Sequence, residues 1–501
     1  MKKLLVCVLA ACALIAAAPK KPKLVVAVVF DQFRYDYMTR FRSEYHAGFE
    51  RMLTKGAVFT NARYEHFPTV TAIGHSTFLS GATPAISGII GNDWYDREEG
   101  KTVTSVADSK TQLLGTTGPG SSPRRMLVDT VGDELKMAGP SHVIGISLKD
   151  RAAILPVGHM ADGAYWFDTK SGNFVSSTYY FADLPGWVKD FNASRPADAF
   201  KGAKWLTRTM PDEPARLYSA IDASPFGNEM VESMAERALQ AESLGKHEGT
   251  DLLAVSFSSN DYVGHAHGPD SPEVHEISVR SDALLEKLFQ AIDKEIGLDN
   301  VIVVLTADHG VAPTPETNTA RKMPGGRLPL GIVSKTVQAA MVAKYGEGNW
   351  IVSNAEHSIY LNWPLMADKK IDIAEADRLA AQAALSIAHV FRVYTREQLM
   401  SGVAMEDQVA RRVMNGYYVR RGPDVEVLLE PYWLFTQTGA THGTTFSYDA
   451  HVPVIFMGPG IKPGRYNQSI AVNDIAPTLA TILDVETPSG SVGRVLAEMF
   501  E

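Results

Sequence analysis

Three apolar runs in this chain lead to an aspartate: VVAVVF to Asp31, AVSFSSN to Asp261 and VIVVLTA to Asp308. Carboxylates set beyond the carboxyl ends of neighbouring strands converge on one crevice. Three unpaired carboxylates there would repel and disturb one another's ionisation, a conflict that a cation relieves. Histidines stand where they could share that cation. His265 lies four residues after Asp261, His309 follows Asp308, and His442 sits in Thr441-His442-Gly443 ahead of the last long apolar run. Gly310, next to His309, is placed to let the backbone turn sharply. Six oxygen and nitrogen donors without sulfur suit zinc. They divide into two sets of three, each leaving a position for water or substrate. Any one of these residues alone would be a cap, a turn former or a satisfied histidine. The combination is what points to metal.

A nucleophile can be sought in Phe67-Pro-Thr-Val-Thr71-Ala-Ile-Gly-His75, where a short helix is expected over Thr71–Leu79, closed by Gly81. A hydroxyl at a helix N-terminus faces free N–H groups and the positive end of the dipole, a good place for an anion. A nearby zinc would lower its pKa. Thr71 is the first candidate and Thr69 its competitor.

The elements that must carry these groups are legible in outline. Leu24–Phe30, His142–Leu148, Leu252–Phe257, Val301–Leu305 and Val452–Met457 are continuously apolar, as in strands buried on both faces of a mostly parallel sheet. Glu229–Ala241, Pro272–Ile296 and a stretch near Ile373–Ala388 show helical spacing. The expected fold is α/β, a mostly parallel central sheet with helices on both faces. Two stretches, about 155–225 and about 315–435, break the alternation and are expected to be insertions that form a cap or lid over the site.

Composition narrows the function classes. Of 501 residues, 45% are hydrophobic and 21% charged, which excludes disordered, collagenous and disulfide-built chains. Lys and Arg number 48 against 57 Asp and Glu, a net charge of −9 that argues against nucleic acid as the main partner. Lys2 and Lys3 precede an apolar run, Leu4–Ala18, too short to span a bilayer and suited to an export signal. A signal peptide over residues 1–18, one catalytic domain over 19–501 and a periplasmic or secreted location are therefore expected. Leu9-Ala10-Ala11-Cys12 leaves lipoprotein anchoring at Cys12 as the alternative. No later stretch is long and apolar enough to cross a membrane. Both cysteines, Cys7 and Cys12, lie in this segment, so thiol catalysis and disulfides are not expected of the mature chain.

FDQFRYD, PTVTAIGHST, SGIIGNDWYD, NDYVGHAHGP, TADHG, THGTTFSYDAHVPVIFMGPGIKPG and NDIAPTLATIL occur in this order between about Leu24 and Arg494. Together they resemble the zinc-dependent alkaline phosphatase superfamily. The resemblance implies two zinc ions: one held by Asp31, Asp308 and His309 with Thr71 as nucleophile, the other by Asp261, His265 and His442. Nothing matches the formylglycine signature of arylsulfatases. Cofactor-independent phosphoglycerate mutases use Ser and a different metal-site arrangement. Nucleotide pyrophosphatase/phosphodiesterases share the Thr nucleophile, usually in P-T-K-T, but Val70 stands here in place of that Lys. Lys149-Asp150-Arg151 looks like the Lys-x-Arg pair of the PafA-type, Thr-dependent periplasmic phosphatases.

The resemblance thus implies a phosphate monoesterase acting on small molecules through a phospho-Thr71 intermediate. Asn92, Lys149 and Arg151 would bind the phosphoryl oxygens. A monoester dianion presents one more non-bridging oxygen than a diester, which favours such a cradle. The alternative is a phosphodiesterase on the same two-zinc core. A zinc-stabilised binding protein without turnover is the rival from another class.

Overall fold

The computed structural model describes residues 21–353, 357–402 and 407–500. The expected signal segment, with Cys7 and Cys12, lies outside them. Strands are labelled β1 (Leu24–Phe30), β2 (Ala57–Arg63), β3 (Val143–Ser147), β4 (Gly163–Asp168), β5 (Asn173–Ser177), β6 (Asp251–Phe257), β7 (Val301–Thr306) and β8 (His451–Met457). The helices that matter most are α1 (Thr71–Ser80), α2 (Pro225–Ala241), α3 (Ser259–His267) and α4 (Pro272–Ile296).

Among the described residues the main sheet has twelve strands, with the central order β2-β8-β7-β1-β6-β3-β4-β5. β1 is wholly buried and pairs in parallel with β6 on one side and β7 on the other. Covered on both faces, it has no solvent side to alternate towards, which explains its unbroken apolar run. Register aligns the strand ends, with Phe30 opposite Phe257, Val29 opposite Thr306 and Ser256 opposite Ser147. The segments after β1, β3, β6 and β7 therefore leave the same edge, carrying Asp31, Lys149, Asp261 and Asp308.

β8 departs from the expected parallel direction: it runs antiparallel to both β7 and β2. Reversal brings its amino end to the edge where the parallel strands finish, so the segment holding His442 arrives beside Asp308. β2, not identified from the sequence, runs with β1 and leads into Thr71 at the same edge. Its pattern mixes buried and half-buried positions and lacks a continuous apolar run.

The two irregular stretches differ from one another. Residues 155–225 supply β4, parallel to β3, and β5, antiparallel to β4, so part of this stretch belongs to the main sheet. In 315–435, a three-stranded sheet (Ser358–Ile359, Val425–Leu429, Val390–Thr395) packs with helices Ile332–Tyr345 and Ile373–Leu385 around a separate apolar core. Arg97, half-buried in the turn between the paired strands Asp93–Asp96 and Lys101–Thr104, ties this unit down: its Nη2 lies 2.6 Å from buried Asp424 and its guanidinium stacks 3.9 Å over Trp363.

Asp377, on the Ile373–Leu385 helix, is buried and its Oδ1 has no hydrogen-bond partner among the described residues. Burial, reinforced by Asp424, pushes its pKa up to about 8. An unfolded Asp titrates near ~3.9, so between that pH and about 8 folding takes up a proton and stability falls as pH rises. Asp377→Asn should therefore unfold later than the parent protein at pH 9, by about 1–3 kcal/mol. Thermal melts from pH 5 to pH 9 should show that advantage growing and then levelling.

Candidate functional site

The six candidate ligands form two groups, Asp31/Asp308/His309 and Asp261/His265/His442, with the donor atoms of each group within 4.8 Å of one another. Asp31 and Asp308 stand just past β1 and β7. Asp261 differs from expectation: β6 stops at Phe257, and Asp261 sits in the first turn of α3. The four-residue spacing to His265 is thus a helical one, which puts both side chains on one face.

All three histidines are oriented in the same way. Nδ1 of His309 donates to the Gly310 carbonyl at 2.9 Å, Nδ1 of His265 to Ala440 at 2.9 Å, and Nδ1 of His442 to Thr69 at 2.8 Å. With the proton held on Nδ1, each Nε2 turns its lone pair into the site beside the carboxylates, where a cation could accept it: 3.4 Å from His309 to Asp308, 3.2 Å from His265 to Asp261, and 3.6 Å from His442 to Asp261. Backbone carbonyls fixing the tautomer of an imidazole are the usual support of a metal ligand. Burial, opposed by Asp308, holds the His309 pKa down; burial and the neighbouring His309 hold that of His442 well down. Both rings are then neutral, the state a cation requires.

The carboxylates give an independent test of fit. Asp31 Oδ1 and Asp308 Oδ2 are buried and have no hydrogen-bond partner among the described residues. Burial and Asp308 push the Asp31 pKa well up, as expected where two carboxylates share a site with no cation between them. Burial would raise Asp261 too, but Lys149 and His265 hold it well below the usual carboxylate range. The donor set, its tautomers and its orphaned oxygens fit two divalent cations.

Thr71 opens α1 and is buried, its Oγ1 3.5 Å from His309 Nε2. Gly74 allows this approach, since a Cβ there would lie 2.3 Å from the Asp308 carbonyl oxygen. Gly310 is required for a different reason than a sharp turn. Its φ is not positive, but a Cβ would stand 2.1 Å from the Tyr448 carbonyl oxygen. The Thr69 hydroxyl donates to Thr444 O at 2.8 Å, and its own carbonyl accepts from His442. Asn92 accepts from the Ala72 N–H at 2.9 Å through Oδ1, which leaves its NH2 group to donate elsewhere.

Lys149 is buried between the two groups, its Nζ 2.6 Å from Asp31 Oδ2 and 2.6 Å from Asp261 Oδ2. Its neighbour Arg151 is less constrained: Asp150 is 3.9 Å away and Arg151 Nε is buried without a hydrogen-bond partner among the described residues. One participant escaped sequence reasoning. Gln32 donates its backbone N–H to Asp308 Oδ1 at 3.0 Å and its Nε2 to Asp261 Oδ1 at 2.6 Å, joining the two groups. Only its position next to Asp31 hinted at this.

Residues 25–450 match the family described as type I phosphodiesterase / nucleotide pyrophosphatase. The chain is 36% identical to alkaline phosphatase PafA of Elizabethkingia meningoseptica, over 96% of this chain and 95% of that enzyme. It is 38% identical to alkaline phosphatase PhoV of Synechococcus elongatus, over 96% of this chain and 93% of that one. The crystal structure of wild-type PafA superposes with a TM-score of 0.90, at 36% identity, covering 97% of this chain and all of that one.

Proposed function

The chain belongs to the type I phosphodiesterase / nucleotide pyrophosphatase family and is an alkaline phosphatase, a hydrolase of small phosphate monoesters; we propose that it works through a phospho-Thr71 intermediate beside two zinc ions. The observation that carries this reading is a buried threonine hydroxyl 3.5 Å from His309, at the meeting of two three-ligand groups. Asp31, Asp308 and His309 would hold one ion; Asp261, His265 and His442 would hold the other. Bound there, zinc supplies Lewis-acid charge that makes the hydroxyl more acidic and eases departure of the ester oxygen.

The protein's own groups do the rest. Thr71 Oγ1 loses its proton and bonds to phosphorus as the ester P–O bond breaks and the alcohol leaves. Water then cleaves the phospho-Thr71 ester, releasing phosphate and restoring the hydroxyl. The start of α1, where Asn92 takes the Ala72 N–H, would turn the positive end of the helix dipole toward the incoming anion. The Asn92 amide and the Arg151 guanidinium would donate to its non-bridging oxygens. Lys149 adds a point charge between the ligand groups. Residues 19–501 act in this scheme as one catalytic domain, the 155–225 and 315–435 stretches shaping access to it. The Leu4–Ala18 run would direct the chain out of the cytoplasm. No described helix is long and apolar enough to cross a membrane.

The test is hydrolysis of p-nitrophenyl phosphate against bis-p-nitrophenyl phosphate by zinc-loaded protein. The monoester is expected to be strongly preferred. Preference for the diester would keep the metal core but assign the site to diester chemistry. No turnover of either would leave a phosphate-binding protein.

A further inference from the structure

The segment that delivers His442 is held by a residue of the 315–435 stretch. Arg327 pairs across a short parallel bridge with Leu434 and extends its guanidinium under residues 436–439. Nη1 donates to the Thr436 carbonyl at 3.0 Å and its hydroxyl at 3.2 Å, and Nη2 to the Gly439 carbonyl at 2.8 Å. The remaining N–H bonds form a fork with Glu316, at 2.8 and 2.7 Å. The Arg327 side chain is 14% exposed whereas that of Glu316 is 67% exposed, so water screens the carboxylate far more than the contacts to the loop.

What that loop does next gives the clamp its consequence. Ala440, adjoining Gly439, donates its N–H to the His265 carbonyl at 3.0 Å and accepts from His265 Nδ1 at 2.9 Å. Two residues later His442 turns Nε2 toward Asp261. One peptide segment therefore sets the ring of His265 and carries His442, two of the three donors of one group. The other group is held differently: Asp308 by the Gln32 N–H and His309 by the Gly310 carbonyl. Neither bond involves residues 436–440.

We propose that Arg327 is a positioning residue for the Asp261/His265/His442 metal set, coupling the docking of the 315–435 unit first to occupancy of that set. This rests on the two-metal reading above. Arg is suited to the role because its planar fork serves two carbonyls and a carboxylate at once. Lys, a single mobile ammonium, cannot reproduce it.

The test is zinc binding to the purified chain, stripped by chelator and titrated back, for the parent, Arg327→Gln, Arg327→Lys and Glu316→Gln. The parent should bind two equivalents. Arg327→Gln should keep one tight equivalent and weaken the other by about 10–100-fold, the usual effect of removing a group that orients metal ligands. Arg327→Lys should fall between the two, and reports the same effect if the Gln variant fails to fold. Glu316→Gln should remain near the parent, because Arg327 keeps its bonds to the loop. Cobalt in place of zinc would give the weakened set a changed absorption spectrum, a signature that general destabilisation would not produce. Two undiminished equivalents in Arg327→Gln, or equal weakening of both, would overturn the inference while leaving the two-metal reading intact. Fewer than two equivalents in the parent would overturn that reading and this inference with it.

Discussion

Thr71→Ala is expected to lower turnover of a phosphate monoester by at least about 10³-fold while both metal sets still fill. Thr71 is buried at the first position of α1, with its hydroxyl toward His309. Its competitor Thr69 instead gives its hydroxyl proton to Thr444 O. Thr71→Ser, which keeps the oxygen and drops one methyl group, should restore much of the rate. Acid quenching during turnover should trap phosphate on Thr71 in the parent and none in the Ala variant. Near-normal activity in Thr71→Ala, or label on Thr69, would move the nucleophile. Thr69→Ala should act differently: it removes a hydroxyl bond but keeps the carbonyl that orients His442, so a modest loss is expected.

The second large effect separates two basic residues that sequence alone treats as a pair. Arg151→Ala should reduce kcat/KM for a monoester by about 10²–10³-fold, comparable with loss of one donor to a developing oxyanion, and by less than about 10-fold for a diester. The diester has one fewer charged oxygen for the guanidinium to meet. Equal losses on both substrates would remove Arg151 from the phosphoryl cradle.

Lys149→Ala has an additional consequence. Its ammonium bridges Asp31 and Asp261, one carboxyl group from each metal group, and its removal leaves the buried Asp261 anion without the cation that stabilises it. The metal-free variant should be less stable than the metal-free parent by about 3–5 kcal/mol, the usual cost of breaking a buried ion pair from one side. Denaturant unfolding in chelator checks this. Arg151→Ala, with no carboxylate among the described residues closer than 3.9 Å, should leave metal-free stability nearly unchanged. A cradle role common to both residues and a charge-bridging role peculiar to Lys149 are thereby distinguished.

The sequence by itself marked the donor set. Asp31, Asp261 and Asp308 after buried strands, three histidines in step with them and no cysteine after residue 12 point to a metal site of oxygen and nitrogen donors, because donor type and spacing are properties of the residues themselves. It also determined the central strands, since β1 and its neighbours are covered on both faces and show it as unbroken apolar runs. Only the tertiary structure decided how the pieces meet. The direction of β8 is invisible in its composition, because a strand buried on both faces looks the same run either way, yet that direction brings His442 to the site. β2 escaped notice because its half-buried positions blur the apolar signal. The groups that tune the site are backbone carbonyls of Thr69, Gly310 and Ala440, which every residue possesses and no sequence pattern marks. Gln32 and Arg327 are equally silent: each acts through partners hundreds or about a hundred positions away, and only folding sets those distances.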